Sequence, residues 1–207
     1  MTPHLTILLG THNPDKAQEL RTAIQHALGN SVVVVMPHDV PAFPRDVAET
    51  GSTLEENAYL KALAVYQATG LPSVSDDTGL EVDALGGEPG VYSARYAGEG
   101  SSYADNRRKL LEALAAVKAE RAEGRTARFR TVVCYHDDMR VLFAEGECEG
   151  RITDTERGIH GFGYDAVFQP QGYTQTFAEL SPEEKHRISH RTRALEALAE
   201  RLRAVYE

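Results

Sequence analysis

No run of apolar residues in this 207-residue chain is long enough to span a bilayer. The apolar stretch Leu5-Thr6-Ile7-Leu8-Leu9 near the start is too short for a signal peptide and has no basic flank. Positive charge is scarce: 22 Lys and Arg stand against 31 Asp and Glu, for a formal net charge of -9. Duplex nucleic acid, whose binding rests on many phosphate contacts from Lys and Arg, is therefore a poor partner. A small anionic ligand is still allowed if cations are gathered locally. There are two cysteines, Cys134 and Cys148, in alternating segments separated by Asp137-Asp138. Read as a hairpin with a tight acidic turn, those segments set Cys134 opposite Val141, so a cross-strand disulfide is not expected. The chain reads as a reduced, cytosolic protein. It has no internal repeat and no low-complexity tract.

What is present is an alternation of short strands and helices. Leu5 to Leu9 reads as a buried strand, and Asn13-Pro14 as the cap and first residue of a helix with Ala17, Leu20, Ile24, Ala27 and Leu28 on one face. Val32 to Val35 is a second strand, followed by a proline-marked loop to Ser52. Thr53-Leu54-Glu55-Glu56 fits a capping box opening a helix to about Thr69, stopped by Gly70. Leu71 to Ser75 reads as a strand ending in a turn, Gly79 to Leu85 as another strand, and Gly86 to Gly90 as a loop. A helix is expected from Ser102 to Lys118, then the hairpin, then a short strand over Tyr164 to Phe168. One helical region runs from Ser181 almost to the end. The early alternation predicts an α/β fold, and the hairpin makes its sheet mixed. No linker stands out, so one continuous unit with two lobes and a cleft is expected.

Asp76-Asp77-Thr78-Gly79 carries the chemistry. Adjacent carboxylates repel, so a fold that keeps them together supplies a positive group, commonly Mg2+. One carboxylate can then hold the metal while the other takes a proton from water; the alternative is a solvated acidic turn. Lys61 falls on the apolar stripe Leu54, Ala58, Val65, and Arg191 on the stripe Ile188, Leu195, Leu198, Leu202, Val205, with His190 beside it. Lys61 is a snorkelling side chain or an ammonium aimed into a cleft at an anion. A lone His190 would be a core or surface residue with a satisfied hydrogen bond, but the adjacent inward-facing His190-Arg191 pair after Ser189 reads as a recognition edge. Thr11, Asn13 and Lys16 cluster where a strand enters a helix N-terminus, a place that favours anions, although the glycine pattern of a Walker A loop is absent. Phe162 is flanked by Gly161 and Gly163, which fits a ring held out to stack on a base, with Asp165 beside it. Glu49 could complete a three-carboxylate site with Asp76 and Asp77.

Taken together, these motifs resemble the inosine triphosphate pyrophosphatases, over Thr11 to Arg191. The resemblance rests on Thr11-His12-Asn13-Pro14-Asp15-Lys16, Glu49-Thr50-Gly51, Glu56 to Ala62, Ser75 to Leu80, Gly86 to Arg95, Gly161-Phe162-Gly163-Tyr164-Asp165 and Ser189-His190-Arg191. It implies an elongated, mixed, twisted sheet flanked by helices, with the active site in a cleft between two lobes. It also implies a homodimer that hydrolyses non-standard purine nucleoside triphosphates (ITP, dITP, XTP) to monophosphate and pyrophosphate. Under it, Thr11, Asn13, Lys16 and Lys61 hold the triphosphate, Glu49 and Asp76 hold Mg2+, and Asp77 is the general base. Phe162 stacks on the purine. Asp165, Lys185, His190 and Arg191 line the base pocket, with Thr78, Gly163 and Tyr164 in the substrate-binding set. Thr78 stands where the family commonly has Ser, and Ala166 where it has Pro. Two other readings are an aspartyl-phosphate phosphatase, which wants its aspartates one residue apart, and a nucleotide sensor without turnover.

Overall fold

The computed structural model describes residues 5–29, 32–117 and 122–206. Strand β1 (Leu5–Leu9) is followed by α1 (Pro14–Leu28), β2 (Val32–Val35), α2 (Leu54–Thr69), β3 (Ser73–Val82), β4 (Pro89–Gly90) and α3 (Tyr103–Ala116). Then come β5 (Thr126–His136), β6 (Val141–Ile152), β7 (Phe168–Pro170), α4 (Pro182–Ile188) and α5 (His190–Tyr206). The sheet runs β2-β1-β3-β5-β6-β7, with β4 paired to β3. It is mixed, as expected: β1 is parallel to β2 and β3, whereas β3·β4 and β6·β7 are antiparallel.

Local chemistry sets most boundaries. The Asn13 side chain accepts from the N–H groups of Asp15 and Lys16 and so caps α1. Thr53 caps α2 by accepting from Glu56 N–H, while the Glu56 carboxylate takes the Ser52 N–H at 2.6 Å. Gly70, at φ +69°, closes α2 in the left-handed conformation that glycine adopts without strain. Ser102 and Asp105 form a full capping box on α3; the expected end of that helix at Lys118 lies outside the described residues.

Five expectations are corrected. Gly86 to Gly90 is not all loop, since Pro89–Gly90 forms β4 against Leu80 and Glu81 of β3. Ser73 to Val82 is one ten-residue strand, so Asp76-Asp77 lies inside β3 and not in a turn. The hairpin turn is centred on Asp138-Met139, because Asp137 N–H pairs with Arg140 carbonyl at 3.0 Å. Asp137 fixes that turn: its carboxylate accepts from the N–H groups of Met139 and Arg140 and from the Tyr135 hydroxyl. The last short strand is Phe168–Pro170, with Tyr164 to Val167 in turns before it. The C-terminal helical region is two helices, broken at Ser189, whose backbone is extended (φ -71°, ψ 149°).

The chain divides into two compact units, Met1–Asp77 with Thr131–Gly146 and His190–Glu207, and Thr78–Arg130 with Glu147–Ser189. In the first, α1 and α5 pack on the sheet through Ala17, Leu20, Ile24, Val74, Tyr135, Leu195, Leu198 and Leu202. In the second, Leu80, Leu110, Leu114, Phe129, Ile152, Phe168, Phe177 and Leu180 form the core. Each fully buried Leu or Phe contributes about 1.5–3 kcal/mol of transfer free energy, so either core can hold charged side chains at its margin. Both cysteines are buried and neither is in a disulfide.

Candidate active site

Side chains alternate along a strand, and in β3 this sends neighbouring residues to different helices. Ser73, Ser75 and Asp77 share one face, where Ser73 Oγ donates to the Ala62 carbonyl of α2 at 2.8 Å. Val74 and Asp76 share the other, where Val74 packs with Ala17 of α1 and Leu195 of α5. The two aspartates therefore meet different cations.

On the α2 face, Lys61 Nζ donates to Asp77 at 2.8 Å and to Glu49 at 3.0 Å. Lys61 is 9% exposed although it belongs to the stripe Leu54, Ala58, Val65; the stem is core and the ammonium bridges two carboxylates. Asn57, one turn earlier, donates to Asp77 at 3.4 Å and accepts from Gly51 N–H at 2.8 Å, which ties the loop carrying Glu49 to the helix. That approach requires glycine: a Cβ on Gly51 would stand 2.7 Å from Asn57 Oδ1 and 3.0 Å from its backbone nitrogen. Burial pushes the Asp77 carboxyl above its usual range, against the pull of Lys61 and Lys16. Burial alone would lower Lys61, but Asp77, Glu49 and Asp76 outweigh it and hold the ammonium charged.

On the other face, Asp76 Oδ2 lies 3.6 Å from Lys16 Nζ and accepts from Arg191 Nε and Nη2 at 3.3 and 3.2 Å. Arg191 also pairs with Glu19 of α1. Desolvation opposes the Arg191 charge, and Glu19 and Asp76 more than restore it. Thr11 Oγ1 accepts from Asn13 N–H. Since Asn13 occupies two first-turn N–H groups of α1 itself, Lys16 is the main cation that this junction offers an anion. His190 is buried at the start of α5 beside Gly146, whose missing side chain lets the helix approach: a Cβ there would stand 2.3 Å from the His190 carbonyl oxygen.

The cluster holds four acids (Glu19, Glu49, Asp76, Asp77) and three bases (Lys16, Lys61, Arg191). Its net excess is one negative charge. Among the described residues no group of three or more His, Cys, Asp or Glu is gathered to hold a metal alone. The expected trio of Glu49, Asp76 and Asp77 is interleaved with cations. The hard oxygen donors and the surplus negative charge still suit a cation such as Mg2+.

The second unit holds a separate cluster. Asp165 Oδ2 accepts from Lys185 Nζ at 2.7 Å and from Phe162 N–H at 2.8 Å. The Lys185 ammonium stands 5.0 Å from the Phe162 ring centre and 5.6 Å from that of Phe177, within cation–π range. Phe162 is half-buried, with one edge near Tyr103. Gly161 (φ +73°) has no room for a Cβ, which would overlap Asp165 Oδ2. Tyr164 is a core residue whose hydroxyl donates to the Ser93 carbonyl at 2.9 Å. Arg107 of α3 donates to the Gly163 carbonyl at 2.8 Å and pairs with Glu156 at 2.9 Å, bracing the loop from both sides. A cavity of about 200 Å³ lies under this loop, lined by Arg107, Glu156, Phe162, Gly163 and Asp165 among others. Thr78 is half-buried.

The sequence reading missed Glu19, Asn57 and Arg107. Helical spacing was available for two of them, since Glu19 follows Lys16 by three residues and Asn57 precedes Lys61 by four. Arg107 had no local signal.

Residues 7–201 match the Ham1 family. A dITP/XTP pyrophosphatase of Methylococcus capsulatus is 46% identical over 202 residues, 96% of this chain and 96% of that protein. One from Flavobacterium johnsoniae is 42% identical, over 97% and 99%. The structure of a HAM1 protein from Coxiella burnetii superposes with a TM-score of 0.84 at 38% identity, covering 97% of this chain and 99% of that one.

Proposed function

Because the chain belongs to the Ham1 family over nearly its whole length, we infer that it is a dITP/XTP pyrophosphatase. It hydrolyses non-standard purine nucleoside triphosphates (ITP, dITP and XTP) between the α- and β-phosphates, giving monophosphate and pyrophosphate. The observation that carries the reading is the set of alternating acids and bases around Asp76-Asp77, of which Lys61, Asp76, Asp77 and Arg191 are buried. A pure binding module has no need of a carboxylate whose affinity for protons is raised by burial while two lysines keep it available.

Phosphoryl transfer is mainly positioning and charge stabilisation. Lys16 and Lys61 supply positive charge to the polyphosphate, Thr11 and Asn13 polar contacts beside it. Asp77 accepts a proton from the attacking water, and pyrophosphate leaves. Arg191, locked to Glu19, orients Asp76. Glu49 and Asp76 would hold Mg2+, which when bound supplies further charge neutralisation on the phosphates. Phe162 offers a stacking face for the purine. Lys185, fixed by Asp165 beside that ring, is the cationic donor suited to a 6-oxo group; a 6-amino group would set donor against donor. The resemblance supports a cytosolic homodimer. No helix among the described residues is long and apolar enough to cross a membrane.

A panel of nucleoside triphosphates assayed for pyrophosphate against orthophosphate, with and without Mg2+, tests the reading. Pyrophosphate release from dITP and XTP well above that from ATP is expected. Asp77→Asn should lower turnover at least about a hundredfold with nucleotide still bound. Orthophosphate as the main product, or full activity in that variant, would overturn the assignment.

A further inference from the structure

A second cavity, of about 290 Å³, lies in the unit Thr78–Arg130 with Glu147–Ser189 and is lined by Arg125, Arg151, Arg157, Ile152, Thr153, Asp154, Thr155 and Gln169. None of these residues belongs to either charged cluster above. Three of the eight are arginines, in a chain whose net charge is -9. Arg125 is buried and fixed by backbone carbonyls: Nε donates to Ile152 at 2.8 Å and Nη2 to Thr153 at 2.7 Å. Arg151 and Arg157 both donate through Nη2 to a single acceptor, Gln169 Oε1, each at 3.3 Å. Gln169 is held in that orientation because its amide nitrogen donates to the Tyr173 carbonyl at 2.6 Å.

Two guanidinium groups are thus kept side by side on one neutral acceptor, an arrangement their mutual repulsion opposes. Arg157 has a carboxylate nearby, Glu179 at 3.6 Å, and donates to the Thr174 carbonyl. Arg151 has no carboxylate at ion-pair distance among the described residues. Asp154 is the one acid in the lining; it is 83% exposed and pairs with Arg125 at 3.5 Å. A doubly charged oxyanion would relieve the repulsion, since guanidinium forks match phosphate oxygens in pairs. The volume admits one or two phosphoryl groups with some water, and is small for a nucleoside triphosphate.

We propose that this arginine pocket is a second binding site, for a small phosphate-bearing anion, anchored by Arg151 and Arg157. The anion is inorganic (phosphate or pyrophosphate) or the phosphoryl end of a nucleoside monophosphate. The proposal stands on the geometry of this pocket and is independent of the activity inferred above.

The test is a titration of the whole protein, in EDTA, with phosphate, pyrophosphate, IMP and sulfate, followed by amide and arginine Nε–H NMR correlations. Saturable shifts at Thr153, Thr155, Arg157 and Gln169 are expected. Arg151→Gln, at an exposed position, should weaken them about tenfold or more, with dITP turnover within about twofold of the parent. Arg151→Lys, which keeps the charge but loses the fork, should fall between the two. Tighter binding of IMP than of pyrophosphate identifies a nucleotide ligand, and the reverse an inorganic one; either supports the site. Shifts confined to the neighbourhood of Lys16 and Lys61, shifts unchanged in Arg151→Gln, or sulfate binding as tightly as pyrophosphate would overturn it.

Discussion

Replacing Lys61 by methionine isolates one charge at the centre of the proposed site. Methionine keeps most of the stem volume in the stripe with Leu54, Ala58 and Val65, so packing changes little. The ammonium that reaches Asp77 at 2.8 Å and Glu49 at 3.0 Å is lost. The two contacts are unequal. Glu49 has a side chain one-third exposed and recovers hydration at a cost of about 1 kcal/mol or less, whereas Asp77 is nearly buried. Removing one partner of a buried pair costs about 3–5 kcal/mol, because the other charge is left behind. For a chain of this length each kcal/mol lowers Tm by roughly 2–4 °C, so Lys61→Met should melt roughly 6–20 °C below the parent. Adding Asp77→Asn removes the stranded charge, and the double variant should recover about 2 kcal/mol or more relative to additivity. Urea unfolding of the four proteins, followed by circular dichroism, closes the cycle. A single variant within about 0.5 kcal/mol of the parent, or additivity within the same margin, would show that the ammonium faces water and that the bridge does not exist.

Arg107→Ala removes the brace on the Gly163 carbonyl; KM for dITP should rise about tenfold, the worth of one charge-assisted bond, with a smaller change in kcat, read from steady-state kinetics. Gly146→Ala drives a methyl into the backbone at the start of α5, and should cost about 3 kcal/mol, seen as a fall in Tm. The Cys134 thiol is pushed up to about 12 by burial. Above about pH 9 the unfolded chain loses this proton and the folded one keeps it, so stability falls as pH rises, by up to about 1.4 kcal/mol per unit. Urea midpoints between pH 8 and 10.5 should show this slope, and Cys134→Ala should flatten it.

Much of the site was legible because its residues break local patterns. Lys61 and Arg191 occupy apolar stripes where only a buried partner justifies a charge, and both are buried and paired. Asn13-Pro14 named its own helix start. The reading failed where partners come from far along the chain. Asp76, Asp77 and Gly79 are turn formers by local statistics, yet they continue β3, because cations on three helices satisfy the carboxylates that a turn would have given to water. The one-residue shift in the hairpin turn follows from the Asp137 carboxylate, which gathers three donors and so decides where the chain reverses. Arg107 could not be found, since its targets, Gly163 and Glu156, lie about fifty residues further on.

The alternation along β3 gives this strand a parity that natural variation must respect. Inserting or deleting one residue between Ser73 and Asp76 would exchange the addresses of the two carboxylates, sending Asp77 toward Arg191 and Asp76 toward Lys61. Two residues would restore the addresses at the expense of one pleat of register with β1. Length polymorphism in functional relatives should therefore gather in the connecting loops and leave this segment untouched.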